Sequence, residues 1–158
     1  MAEEIAAGKV AETVTGGETR SESVRNALAE IPDEAAIVLV HDAARPLVTD
    51  EVIERVITAL GDDWDGAVPA LPISDTVKRV EGEAVSETLD RQGLVAVQTP
   101  QAFVAPILRA AVTGEVSSAP DCASLVEARG GRVRVVEGDR RLVKVTEPSD
   151  LELVASWL

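Results

Sequence analysis

Short apolar runs alternate with amphipathic stretches along the chain. Ala36-Ile37-Val38-Leu39-Val40 is a continuous apolar run of strand length, suited to a strand covered on both faces. The polar loop His41-Asp42-Ala43-Ala44-Arg45-Pro46 follows at its carboxyl end. Val52, Ile53, Val56, Ile57 and Leu60 then recur at helical spacing, with Thr49 or Asp50 able to cap the first turn and Gly61 to end the last. A second buried strand is expected over 67–71. Strand, helix, strand in this order is the grammar of a parallel sheet with helices on its faces.

Upstream, Thr13-Val14-Thr15 reads as a strand end before Gly16-Gly17, and Thr19 and Glu22 have capping-box spacing ahead of a helix reaching Glu30. Residues 74–98 break the βαβ rhythm: Thr76-Val77-Lys78-Arg79-Val80, a Glu81-Gly82-Glu83 turn and further short extended pieces predict a protruding antiparallel arm. Helical spacing returns over 103–112, with Pro106 in the first turn, and over 121–128, closed by Gly130-Gly131. Strands are expected over 133–136 and 142–145. Leu151, Val154, Ala155 and Leu158 give a last helix one apolar face. No internal repeat or linker interrupts the pattern, so 1–158 reads as a single α/β domain.

Composition narrows the class. The 158 residues are 46% hydrophobic, enough for one core. No apolar run approaches the roughly 20 residues that span a bilayer, and the N-terminus has no basic region of the kind a signal peptide carries. The single cysteine, Cys122, cannot form an internal disulfide, so a reducing cytoplasm is expected. A net charge of −13, with no Tyr, one Phe and two Trp, argues against a nucleic-acid partner. Several Arg and Lys nevertheless stand near turns, where a few gathered at one cleft can hold a small phosphorylated ligand.

In open α/β sheets, ligands sit beyond the carboxyl ends of the strands. Gly16, Gly17, Glu18 and Arg20 fall there after one strand, and Asp42 and Arg45 after the next. The paired glycines fit a close backbone approach to a base or phosphate, or simply a tight turn. Asp42 suits ribose hydroxyls, a Mg²⁺ shell or a loop cap. Arg45 suits a phosphate or a local carboxylate. His41 reads as a structural hydrogen-bonding residue, and Cys122 as a small packing residue.

The order of these pieces says more than any one alone. Val14-Thr15-Gly16-Gly17-Glu18-Thr19-Arg20-Ser21-Glu22-Ser23-Val24 is followed by His41-Asp42-Ala43-Ala44-Arg45-Pro46 and Ser74-Asp75-Thr76-Val77-Lys78. Then come Leu89-Asp90-Arg91-Gln92-Gly93-Leu94, Gln98-Thr99-Pro100-Gln101, Asp121-Cys122-Ala123-Ser124-Leu125-Val126-Glu127 and Val143-Lys144-Val145-Thr146. Together they resemble the cytidylyltransferase family of the methylerythritol phosphate pathway over nearly the whole chain.

The resemblance implies a mostly parallel, Rossmann-like nucleotidyltransferase sheet that joins CMP from CTP to 2-C-methyl-D-erythritol 4-phosphate with Mg²⁺. It implies cytosine contacts from Gly17, Glu18 and Ser23, with Arg20 in support, and places Asp42 and Ala43 at the ribose and acceptor. Arg45, Thr76, Arg91 and Thr99 match positions that grip the acceptor phosphate. Arg91 would act across a homodimer interface made by the arm. Lys144 matches a lysine that steadies charge around the α-phosphate.

Three departures accompany the match. The family's opening Ala-Ala-Gly-x-Gly-x-Arg loop has no counterpart here, since Ala6-Ala7-Gly8-Lys9 lacks the second Gly and the Arg and reads as a helix end. A first βαβ unit is therefore expected to be missing. Pro120 stands where a Thr is common, and Leu142 where an Asn is common. The alternatives left open are a non-catalytic binding or dimerising remnant and a transferase for another polyol phosphate.

Overall fold

A computed structural model describes residues 10–113 and 119–158; the expected helix end at Ala6-Ala7-Gly8-Lys9 lies outside them. The described elements are α1 (Arg20–Glu30), β1 (Ile37–Val40), α2 (Asp50–Thr58), β2 (Gly66–Pro72), β3 (Lys78–Glu81), β4 (Ala84–Thr88), β5 (Val95–Val97), β6 (Gln101–Val104), α3 (Ala105–Ala111), α4 (Cys122–Glu127), β7 (Val133–Glu137) and α5 (Pro148–Ala155).

The main sheet is mixed. β6 lies antiparallel between β1 and β2, β5 extends along β2 antiparallel, and β7 pairs with the other edge of β2 in parallel register from Gly66↔Val133 to Ala70↔Glu137. β1, β2 and β7 therefore share one direction, as the βαβ reading requires, while β6 and β5 run against them. The carboxyl ends of β1, β2 and β7 and the start of β6 meet at one edge of the sheet, and the polar loops gather there.

Alternation along the strands divides the core into two layers. Val68 and Phe103 face a cluster with Leu28 of α1, Leu108 of α3 and Val126 of α4, all nearly inaccessible to solvent. The adjacent residues Ala67 and Ala102 face the other way, against Val56 and Ala59 at the end of α2. Helices thus pack on both faces at the sheet centre, but β1 is not covered on both faces as its apolar run predicts: Val38 is buried, whereas Ile37 and Leu39 stay 38% and 39% exposed. Gly66 sits directly against Phe103, where an added Cβ would fall 2.7 Å from the ring.

Local chemistry sets several boundaries. Thr19 accepts from the Glu22 N–H while the Glu22 carboxylate accepts from the Thr19 N–H, the capping box that the spacing predicts for α1. The Asp121 carboxylate accepts from the Ser124 N–H and caps α4. The Glu81-Gly82-Glu83 turn joins β3 to β4, with Gly82 at a φ of +60°. That hairpin forms its own two-stranded sheet and is exposed along its length.

Three expected elements differ. The helix expected from 103 begins at Ala105, because Gln101–Val104 is the strand β6 wedged between β1 and β2, where Ala102 and Phe103 are fully buried. Residues 142–145 are not a strand; Val145 makes one backbone bond, to Ala44 O at 2.8 Å, and the segment crosses the loop after β1 instead. Thr13-Val14-Thr15 lies outside regular structure, and its Thr15 carbonyl accepts from the Asn26 side chain.

Candidate functional site

The loop after β1 is built around His41, Asp42 and Arg45. Asp42 O accepts from the Arg45 N–H at 2.9 Å, which turns the chain, and His41 Nε2 lies 3.0 Å from Arg45 O. A carbonyl can only accept, so Nε2 carries the proton and, in the neutral ring, Nδ1 is an acceptor. Thr99 Oγ1, 3.0 Å from Nδ1, supplies the donor and itself accepts from the Asp42 N–H at 2.9 Å. The buried Thr99 hydroxyl thus fastens the Asp42 loop to the start of β6. His41 has both ring nitrogens engaged in structure, as its place before the motif aspartate suggests.

The segment after β7 closes over this loop. Arg45 Nη1 donates to Leu142 O at 2.6 Å, and Lys144 Nζ reaches Asp42 Oδ2 at 3.1 Å. Arg45 Nε stands 3.5 Å from the same carboxylate oxygen but makes no hydrogen bond. Burial works to raise the Asp42 pKa, yet the hydrogen bond and charge of Lys144, with Arg45 and Arg20 behind them, outweigh it and hold the carboxyl below its ordinary value. Leu142 is fully buried and holds the segment in place, while its carbonyl does the polar work.

These groups line a cleft of about 440 Å³ that also takes in Arg20, Gln98, Gln101, Pro120, Asp121 and Ser124. Gln101 Nε2 donates to Asp121 Oδ2 at 2.9 Å, and Ser124 donates to Oδ1 through its N–H and hydroxyl. Burial raises the Asp121 pKa, but these hydrogen bonds and Arg20 more than offset it, so this carboxyl too is depressed. Gln101 Oε1 is buried without a partner. Gln98 ties the cleft floor to the end of β7 through a paired amide contact with the Asp139 backbone, at 2.9 and 3.0 Å.

A second, more apolar groove of about 450 Å³ runs between α1 and β1, lined by Ser23, Leu28, Val38, Val40, Asp42 and Ala43 among others. Asp42 and Arg20 belong to both cavities. Gly17 donates to Ser23 Oγ at 3.0 Å and packs so close to α1 that a Cβ would fall 2.2 Å from Glu22 Cβ. Glu18 is exposed at the approach to α1 and lines neither cavity.

Of the residues that the sequence singles out, Asp42, Arg45, Thr99 and Lys144 come together in the cleft, and Ser23, Asp42 and Ala43 in the groove. Thr76 and Arg91 do not join them. Both are exposed on the arm, and the Arg91 guanidinium donates to the Ser74 carbonyl. Sequence reasoning missed Gln98, Gln101, Asp121 and Ser124 as site residues. The Asp-x-x-Ser capping pattern was visible for the last two, but nothing local showed that α4 starts at the cleft.

Among the described residues no group of three or more His, Cys, Asp or Glu could hold a metal. No described helix is long and apolar enough to cross a membrane.

The chain is similar to known proteins in both sequence and overall fold. A protein from Rubrobacter xylanophilus named 2-C-methyl-D-erythritol 4-phosphate cytidylyltransferase is 45% identical over 146 residues, covering 90% of this chain and 63% of its own length. One of the same name from Frankia casuarinae is 43% identical and covers 92% and 55%. The chain therefore spans little more than half to about three-fifths of the length of these relatives. The crystal structure of 2-C-methyl-D-erythritol 4-phosphate cytidylyltransferase from Thermus thermophilus superimposes with a TM-score of 0.82 at 39% identity, covering 91% of this chain and 71% of that one. The bifunctional IspDF of Campylobacter jejuni superimposes with a TM-score of 0.81 at 32% identity, covering 96% and 38%. The profile of IspD, 2-C-methyl-D-erythritol 4-phosphate cytidylyltransferase, matches residues 1–158, and the chain belongs to that family.

Proposed function

We propose that this chain carries the acceptor and nucleotide sites of a cytidylyltransferase that moves CMP from CTP to 2-C-methyl-D-erythritol 4-phosphate. The observation that carries the reading is the Asp42 carboxylate held between Lys144 and Arg45 where cleft and groove meet. In the reaction, an acceptor phosphate oxygen forms a bond to the α-phosphorus of CTP. The bond from that phosphorus to the bridging oxygen breaks, and pyrophosphate departs with the electron pair.

Alignment and charge neutralisation carry most of such a transfer. The apolar groove, lined by Ser23 with Gly17 hydrogen-bonded to it, is suited to the cytosine, with Glu18 on the approach, and Asp42 and Ala43 are suited to the ribose. Lys144 offers a compact positive charge at the α-phosphate, while Arg45 and Thr99 face the acceptor. A Mg²⁺ ion would be held mainly by the triphosphate oxygens, with Asp42 and Asp121 as the nearest carboxylates, and would neutralise charge on the departing pyrophosphate.

Thr76 and Arg91, exposed on the arm, fit the cleft of a second copy better than their own, so a homodimer with exchanged arms belongs to this reading. A cytoplasmic setting is part of it as well. A second reading keeps the same site without the transfer: this chain binds its ligands and does not turn them over. Release of pyrophosphate from CTP, Mg²⁺ and 2-C-methyl-D-erythritol 4-phosphate separates the two. Turnover abolished by omitting the acceptor supports transfer; saturable binding with no pyrophosphate supports the binding reading; neither would overturn both.

A further inference from the structure

The cleft holds three cations, Arg20, Arg45 and Lys144, against two carboxylates, Asp42 and Asp121, in a chain whose net charge is −13. Two of the cations are already engaged. Arg45 donates to Leu142 O at 2.6 Å through Nη1 and stands 3.5 Å from the Asp42 carboxylate, and Lys144 pairs with Asp42 at 3.1 Å. Both carboxylates are likewise satisfied, Asp42 by these cations and Asp121 by Gln101 and Ser124.

Arg20 is different. Among the described residues its guanidinium makes no ion pair, and its one hydrogen bond goes to the Cys122 thiol at 3.5 Å. A thiol sulfur is a weak acceptor, and a guanidinium has five N–H donors, so most of its fork has no protein partner. The side chain is half-buried on the wall shared by the cleft and the groove, close enough to depress the carboxyls of both Asp42 and Asp121. A planar cation with unspent donors at the junction of two concavities is the donor set that phosphate recognition uses.

We propose that Arg20 is a phosphate-binding residue of this site, gripping the phosphate group that lies where the nucleotide groove opens into the acceptor cleft. This goes beyond a supporting role beside the base. It rests on reading the cleft as a site for phosphorylated ligands, and either the α-phosphate of the nucleotide or the phosphate of the acceptor could occupy the position.

The test titrates inorganic phosphate into wild type, Arg20→Lys and Arg20→Gln while following the backbone amide signals of the cleft by ¹⁵N-resolved NMR, and in wild type the Arg20 guanidinium N–H signals as well. A saturable shift at Arg20 is expected, with binding about tenfold weaker in Arg20→Gln and intermediate in Arg20→Lys, which keeps the charge but loses the fork. No saturable binding by the wild type, or equal binding by a folded Arg20→Gln, would overturn the proposal; should Arg20→Gln not fold, the wild-type shift and Arg20→Lys decide it. Parallel titrations with CMP against cytidine, and with the polyol phosphate against the free polyol, assign the source. The pair whose difference collapses in the Arg20 variant supplies the phosphate. A wild type that binds phosphate through Arg20 but neither CTP nor the polyol phosphate would leave this inference standing and remove the cytidylyltransferase reading.

Discussion

Replacing Thr99 by Val keeps the shape of a buried side chain and deletes only its hydroxyl. That hydroxyl accepts from the Asp42 N–H at 2.9 Å and meets His41 Nδ1 at 3.0 Å, in a residue only 5% exposed. Two hydrogen bonds at about 1 kcal/mol each are lost, and the Asp42 N–H is left short of a partner, which together give a destabilisation of about 2–3 kcal/mol. For a domain of ordinary stability, about 5–15 kcal/mol, this is a large fraction. Urea unfolding at pH 7 should show the midpoint falling by about 1 M at an unchanged slope. Thr99→Ser, which keeps the hydroxyl, should cost only about 1 kcal/mol, the value of the missing methyl group. A Thr99→Val midpoint within about 0.2 M of wild type would refute the idea that this hydroxyl fastens the Asp42 loop to the sheet.

Gly66→Ala should destabilise by about 1–3 kcal/mol through overpacking against Phe103, read in the same urea assay; no change would mean that the ring moves aside freely. Asp42 and Asp121 both titrate below their ordinary value when folded, so their stabilising contribution is complete above about pH 4 and disappears as pH falls through the lowered native values. Asp121→Asn should therefore be less stable than wild type at pH 7 and lose less on acidification from pH 6 to 2.5; parallel acid limbs would contradict this. In a form of the protein that turns over, Lys144→Ala should lower kcat far more than it raises the KM for CTP, whereas a pure KM effect would move Lys144 into ground-state binding.

The sequence was most legible where local chemistry alone sets an element, even where burial departs from the expectation, as at the exposed Ile37 and Leu39 of β1. The apolar run of β1, the amphipathic α2 and the capping box of α1 can each be read within a dozen residues, and each forms within a residue or two of its expected bounds. β6 was hidden because Phe103 satisfies both a helical spacing and a strand, and only the neighbouring strands decide between them. Residues 142–145 have the composition of a strand, but Leu142 and Val145 bond to the Arg45 side chain and the Ala44 backbone rather than to a ladder.

The same division holds for the site. His41-Asp42-Ala43-Ala44-Arg45-Pro46 announces itself in order, whereas the partnership of Asp42 with Lys144 joins residues about a hundred positions apart. Gln101 and Asp121 stand in two separate motif segments of the sequence, and only the antiparallel placement of β6 sets them side by side. The resemblance sets Arg20 in a loop, whereas it is the first residue of α1, and that it has no ion-pair partner among the described residues depends on what folds against it.

The central claim is that the cleft around Asp42 receives a phosphorylated acceptor beside a cytidine nucleotide. Calorimetric titration of the chain with 2-C-methyl-D-erythritol 4-phosphate and with CTP in the presence of Mg²⁺ tests it most directly, with Arg45→Ala as the comparison. Saturable binding of both ligands, with only the acceptor weakened substantially by Arg45→Ala, is the predicted result. Binding of neither ligand by the folded chain, or an acceptor affinity indifferent to Arg45, would contradict it.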